Sequence, residues 1–168
     1  STAVALTVNA APSITTQPVA QAVCSGANAT FTVAASGSGT LTYQWRKNGA
    51  NISGATSATY TITGATAADA GSYDVIVTGT CGSVTSTAVS LTINTAPTIT
   101  TQPTAQAVCS GANAAFTVTA TGSGTLAYQW RKGGINISGA TASTYTIASV
   151  TAADAANYDV VITNGCGS

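Results

Sequence analysis

The sequence predicts an all-β fold: two antiparallel β-sandwiches in tandem, preceded by one extra strand. Three observations carry this. The stretch Tyr43-Gln44-Trp45-Arg46-Lys47 returns unchanged as Tyr128-Gln129-Trp130-Arg131-Lys132, 85 positions later. The same offset joins Cys24 to Cys109, Phe31 to Phe116, Tyr60 to Tyr145, Asp69 to Asp154, Tyr73 to Tyr158 and Cys81 to Cys166, and a fixed period of this kind marks a repeated structural unit. Apolar and polar residues alternate in short runs, as strands with one buried face require, and turn residues interrupt those runs about every ten positions, the rhythm of a sandwich.

Taken in order, Ser1 to Asn9 alternates with Val4, Leu6 and Val8 on one face, and matches Ser86 to Asn94, where Val89, Leu91 and Ile93 hold the same places. In the repeat this segment comes last. Residues 1–10 therefore read as the final strand of a preceding or neighbouring domain, 11–95 as a first full domain, and 96–168 as a second that lacks its last strand. Ala10-Ala11-Pro12 and Ala96-Pro97 mark the junctions, where proline stops strand pairing. Each is followed by an edge strand that ends at Pro18 or Pro103. A turn at Cys24-Ser25-Gly26 leads to a strand with Phe31 and Val33 inward. Tyr43 and Trp45, two apart, share the core face of the next strand, while Gln44 and Arg46 take the other. Asn48-Gly49 is a turn signal. Tyr60 and Ile62 point inward, Asp69 to Val77 gives a corner and a strand, and Gly79-Thr80-Cys81-Gly82 turns the chain into the last strand.

Composition narrows the function. Of 168 residues only 5% are charged, the net charge is zero, and histidine and methionine are absent. Such a surface offers no electrostatic footprint for nucleic acid or acidic lipid. No run of about 18 apolar residues suits a membrane span, and a secretion signal, where there is one, is removed or lies upstream. Four cysteines at fixed repeat positions, with no histidine beside them, indicate disulfides over metal and an extracellular or periplasmic setting. No cofactor is expected. Asp69 reads as a turn residue whose side chain satisfies backbone amides, and Arg46 and Lys47 as residues of a solvated sheet face. Two carboxylates per repeat are too few for a calcium site, and no base stands beside a serine or thiol to support catalysis. The sequons at Asn28, Asn51 and Asn136 are weak hints in so Asn-, Ser- and Thr-rich a chain.

A tryptophan strand followed by Asp-x-Gly-x-Tyr at this spacing resembles the immunoglobulin fold, closest to the intermediate-set-like repeats of bacterial secreted and cell-surface adhesin or filament proteins. The resemblance covers the whole chain. It implies a core motif of Trp45 and Trp130 with Tyr73 and Tyr158 at the tyrosine corner. Where the family carries its second core cysteine this chain has Val75 and Val160, facing Val33 and Val118, so the inter-sheet disulfide is replaced by a valine contact. Repeat 2 departs further, with Ala156 in place of the corner glycine.

The real cysteines then need another role. Cys24 lies in the turn between the first two strands and Cys81 at the tip of the last hairpin, at opposite ends of a sandwich and roughly 30 Å apart or more at about 3.3 Å per residue. A disulfide spans Cα separations of only about 4.4 to 6.8 Å. In a head-to-tail array the bottom of one domain meets the top of the next. That arrangement predicts an interdomain disulfide between Cys24 and Cys166, and inter-unit disulfides from Cys81 and Cys109 to neighbouring units; local intradomain bonds or free thiols are the alternatives. The absent last strand of repeat 2 removes three inward apolar residues, about 1.5 to 3 kcal/mol each, and leaves an open ladder edge. Val4, Leu6 and Val8 are the residues expected to complete such a domain, either in a separate subunit or within one longer polypeptide. The resemblance thus implies a non-enzymatic structural module of an extracellular or cell-surface filament or adhesin stalk, whose partner is itself, as a head-to-tail polymer or flanking repeats. The alternative is a spacer or glycan-binding appendage of a secreted or surface enzyme, since bacterial immunoglobulin-like domains often accompany glycan-degrading enzymes. All ten aromatic residues belong to core motifs, which leaves none for a sugar platform.

Overall fold

The computed structural model describes residues 1–168, which divide into two compact units, Ser1–Ile93 and Asn94–Ser168. Both are all-β, as the sequence predicts, apart from a single 3-10 turn in each, Ala67–Asp69 and Ala152–Asp154.

Unit 1 contains β1 (Ser13–Thr16), β2 (Gln21–Cys24), β3 (Ala29–Thr32), β4 (Ala34–Ser36), β5 (Thr42–Lys47), β6 (Ala50–Asn51), β7 (Thr59–Ile62), β8 (Gly71–Gly79), β9 (Gly82–Thr85) and β10 (Val89–Asn94). One sheet runs β2-β10-β8-β5-β6, with β9 also on β8, while β3 pairs with β7 and β1 with β4. The strands are shorter and more numerous than turns about every ten positions imply, for local reasons. Pro18 cannot donate to a ladder, so the first strand breaks there; β1 then pairs with β4 while β2 lies beside β10. The last strand breaks around Ser86, which is buried, donates its N–H to Val75 O at 2.9 Å and accepts the Val75 N–H on its hydroxyl at 3.0 Å. A side chain has replaced a backbone partner there, as at a bulge.

The register sets the core. Trp45 lies opposite Val75 and Tyr43 opposite Val77 across β5 and β8. Phe31, Trp45, Tyr73, Val75 and Val77 are all essentially inaccessible to solvent. Phe31 stacks on Tyr73 with ring centroids 4.9 Å apart and meets Trp45 at 5.9 Å, and the Trp45 indole N–H donates to Ser57 O at 2.9 Å, so the largest core ring buries no unmet polar group. At the corner, the Tyr73 hydroxyl donates to Asp69 O at 2.6 Å. Asp69 Oδ2 accepts the backbone N–H and hydroxyl of Thr66, both at 2.8 Å.

Unit 2 repeats this frame with β11 (Thr98–Thr101), β12 (Ala114–Thr117), β13 (Thr119–Thr121), β14 (Ala127–Lys132), β15 (Ile135–Asn136), β16 (Thr144–Ile147) and β17 (Tyr158–Thr163). Its pairs are β11 with β13, β12 with β16, and the sheet β15-β14-β17. Counterparts of β2, β9 and β10 are missing. Residues 106–109, at the positions of β2, form no strand; in unit 1 the neighbour of β2 is β10, and that neighbour is what unit 2 lacks.

The corner glycine shows how the repeats diverge. Gly71 has φ +156°, and a Cβ there would come within 2.9 Å of Asn48 Oδ1, the atom that accepts the Ser72 N–H. In unit 2 the glycine is Ala156 and the asparagine is Gly133, so the added methyl group no longer has that amide to meet. The neighbouring backbone bond persists, from Asn48 N to Ser72 O and from Gly133 N to Asn157 O, each at 2.8 Å.

Candidate functional site

An opening lies in unit 2 over the face that β10 covers in unit 1. In unit 1, Leu91 of β10 is 3% exposed and lies opposite Gly71, with Val89 opposite Tyr73; Gln17 Oε1 accepts the backbone N–H and hydroxyl of Thr87 at 3.0 and 3.2 Å. The same place in unit 2 holds a cavity of about 230 Å³ whose walls include Ala114, Phe116, Ile147, Val150 and Tyr158. Phe116, Tyr158 and Val160 are half-buried, whereas Phe31, Tyr73 and Val75 in unit 1 are fully enclosed. Trp130, Val118 and Ile162 stay buried because strands that unit 2 does possess cover them. Tyr128 and Tyr145 are half-buried as well, so no aromatic side chain stands fully exposed.

Residues 1–10 group with unit 1 but form no strand. Val4, Leu6 and Val8 are 94%, 89% and 84% exposed. They sit just ahead of an anchor, where Ala10 N–H donates to Ser38 Oγ at 2.8 Å and the Cys81 thiol to Asn9 O at 3.5 Å. Cys24 ends β2 and Cys166 follows β17, and both are in disulfide linkage. Cys81 and Cys109 are free, exposed thiols. Of the sequon asparagines, Asn28 uses its side-chain oxygen to accept the Gly64 N–H at 3.0 Å, while Asn51 and Asn136 lie exposed on β6 and β15.

The charged side chains are occupied by the fold. On the sheet face, Arg46 grips Asp74 with two bonds of 2.7 and 2.8 Å, because the β5–β8 register sets the two residues opposite each other. Arg131 and Asp159 repeat the pair at the same distances. Lys47 donates to Ala68 O and lies 6.0 Å from the Tyr73 ring centre; Lys132 does the same with Ala153 O and Tyr158. Bonds from Thr66 hold the Asp69 carboxyl below the usual range, with Lys47 adding to the effect. Thr151 does this for Asp154, and Arg131 for Asp159. Burial, then Tyr60 and Asp69, pushes Tyr73 up to about 12. Sequence reasoning passed over the Arg46–Asp74 pair; its signal was the identical spacing of Arg and Asp in both repeats, legible only once the strand register is known. It also passed over Gln44, whose side-chain amide donates to Trp45 O and Ile52 O.

Comparison with known proteins agrees with this geometry. The family model of the immunoglobulin domain matches residues 11–78 and 96–164. Endoglucanase C of Cellulomonas fimi is 34% identical over 95% of this chain, and exoglucanase B of the same organism 30% over 99%. The chain spans only 15% and 17% of the length of these two proteins. Among solved structures, an I-band fragment of titin superimposes with a TM-score of 0.83 at 19% identity, covering 94% of this chain and 62% of that one. Domains 1–4 of Sidekick-1 give a TM-score of 0.73 at 21% identity, covering 95% and 46%. Those likenesses concern fold alone. With the tyrosine corner, the tryptophan strand and the family match all falling on both repeats, the chain belongs to the immunoglobulin-domain family, as two tandem copies.

Proposed function

We propose that the chain is a non-catalytic spacer, a tandem immunoglobulin-like appendage of a secreted glucan-acting protein, in preference to a filament or adhesin stalk. One observation carries the reading: nearly all of this chain resembles a small part of two proteins named as glucanases. The chemistry is in keeping with it. The four basic and four acidic side chains are engaged within the fold, so no acid and base face a common open space as hydrolysis of a glycosidic bond requires. No fully exposed aromatic ring offers a sugar a stacking surface.

A spacer holds its neighbours apart, and stiff joints serve that better than loose ones. In this reading Cys24 and Cys166 form one bond across the junction of the two units, and the oxidising compartment it needs is extracellular. Cys109 and Cys81 hold the corresponding places in the opposite repeats, which fits them for the same bond to flanking repeats. Incubated with cellulose and with a soluble β-glucan, the chain is expected to release no sugar and to remain in the supernatant; hydrolysis, or retention on cellulose, would overturn the spacer reading. Peptide mapping without reductant should recover a Cys24–Cys166 cross-linked peptide, and recovery of any other pairing would reject the junction bond.

A further inference from the structure

We infer that Asn48–Gly49 is a self-modifying site, at which the Gly49 backbone nitrogen displaces the Asn48 side-chain amide and water then opens the resulting ring to aspartate or isoaspartate. The proposal is independent of the glucanase likeness and rests on how the fold holds two like dipeptides. Asparagine followed by glycine occurs twice in the chain, at Asn48–Gly49 and Asn164–Gly165, and in both the second residue has no Cβ to hinder its nitrogen. The fold treats the two differently. Asn164 is clamped through the nitrogen that would have to leave, as Nδ2 donates to Thr95 O at 2.8 Å and to Ser123 O at 3.0 Å. Asn48 is exposed, and its one side-chain bond is at the oxygen, where Oδ1 accepts the Ser72 N–H at 2.9 Å; its Nδ2 is left to solvent.

Position and chemistry agree. Asn48 and Gly49 form the two-residue loop between β5 and β6, where Lys47 pairs with Ala50, and both have left-handed φ, +50° and +81°, as this tight hairpin loop demands. The Gly49 N–H donates to no group of the protein, and the space beside its Cα is open. Because β6 is two residues long and pairs with β5 alone, the loop opens locally without unfolding the sheet. In the open loop Gly49 gives its N–H proton to hydroxide, its nitrogen bonds to Asn48 Cγ, and the Cγ–Nδ2 bond breaks as ammonia leaves. Negative charge gathers on Oδ1 as the nitrogen adds, and the Ser72 N–H is aimed at that oxygen, as an oxyanion donor must be. Water then opens the five-membered imide at either carbonyl. One product is aspartate in the same backbone; the other routes the backbone through Cβ and Cγ and lengthens the loop that sets Lys47 opposite Ala50. Each gives a negative charge to a chain whose net charge is zero. Unit 2 has Gly133–Gly134 at this place, with no amide to lose, so the two repeats age differently.

The test is incubation of the full, folded chain in warm, mildly alkaline buffer, followed by peptide mapping in a mass spectrometer, with an isoaspartyl methyltransferase to label the rearranged product. Asn48 is expected to convert about tenfold or more faster than Asn164, whose leaving nitrogen is held by two hydrogen bonds, and the rate should rise with pH. In urea, which releases Asn164 from its clamp, the two rates should converge. Gly49→Ala, in a loop with room for the methyl group, should slow the conversion of Asn48 several-fold. Folded chain in which Asn48 converts no faster than Asn164 overturns the proposal, as does a rate unmoved by Gly49→Ala. A preference for Asn48 that persists unchanged in urea would belong to the neighbouring residues and not to the fold, and it also overturns the proposal.

Discussion

Two units drawn from one template are described over unequal lengths, unit 1 with β2, β9 and β10 and unit 2 only as far as Ser168, and the comparison separates what sets this fold from what covers it. Unit 1 carries β10 and encloses Phe31, Tyr73 and Val75; unit 2 lacks a counterpart and leaves Phe116, Tyr158 and Val160 half-buried. Yet the ring geometry hardly moves: Phe116 and Tyr158 stack at 5.0 Å where Phe31 and Tyr73 stack at 4.9 Å, and Trp130 is as buried as Trp45. The strands around the tryptophan define the arrangement, and the last strand mainly excludes water from it.

The indole N–H groups of Trp45 and Trp130, each bonded to a carbonyl within its own unit, give a separate exchange reporter for each half. The strongest break is Leu91→Asp, which buries a charge where β10 closes unit 1; a loss of about 4–5 kcal/mol is expected at Trp45, with Trp130 unmoved. Phe31→Ala should cost unit 1 about 3–5 kcal/mol, and Phe116→Ala about half as much, since less of its surface leaves water on folding. Equal losses would mean that the opening of unit 2 is closed in solution. Gly71→Ala should cost about 1–3 kcal/mol through the Asn48 amide and the positive φ, and Asn48→Gly should restore part of it in a double-mutant cycle. Ala156→Gly should stay within about 1 kcal/mol. Tyr73→Phe removes the bond to Asp69 O and should cost about 1 kcal/mol, with Tyr158→Phe similar, because that bond survives at 2.8 Å.

The pH dependence completes the series. The carboxyls of Asp69 and Asp154 are depressed in both units. Their contribution is whole above the unfolded value of about 3.9 and is lost as pH falls through the lower folded value, so urea midpoints of both units should decline in acid. Tyr73 is raised to about 12. Its contribution is whole below the unfolded value of about 10 and is lost as pH climbs toward 12, so unit 1 should weaken in alkali and Tyr73→Phe should remove that component.

Much of this was legible in the sequence because it is local or repeated. Alternation around Trp45 and the Asp69-to-Tyr73 spacing indicated strand, corner and family, and the family match bears out both fold and recognition. The division into more, shorter strands was not legible: Pro18 announced a break, but that β1 and β2 then join different strands depends on partners far along the chain. Arg46 and Asp74 lie 28 positions apart and meet only through strand register, which alternation does not specify. The functional expectation leaned on the filament half of the resemblance, whereas the relatives are glucanases; a chain with so few charged groups and so regular a repeat reads the same in either setting.

The paired exchange of Asn48 with Gly71 for Gly133 with Ala156 bears on how such repeats recombine. Tyr-Gln-Trp-Arg-Lys is the same in both copies and so invites unequal crossing-over at the gene. A breakpoint within that pentapeptide carries the coupled pair across whole. One falling between the pair, with the front of the first copy joined to the back of the second, would seat asparagine against alanine and produce a hybrid whose corner is strained from birth.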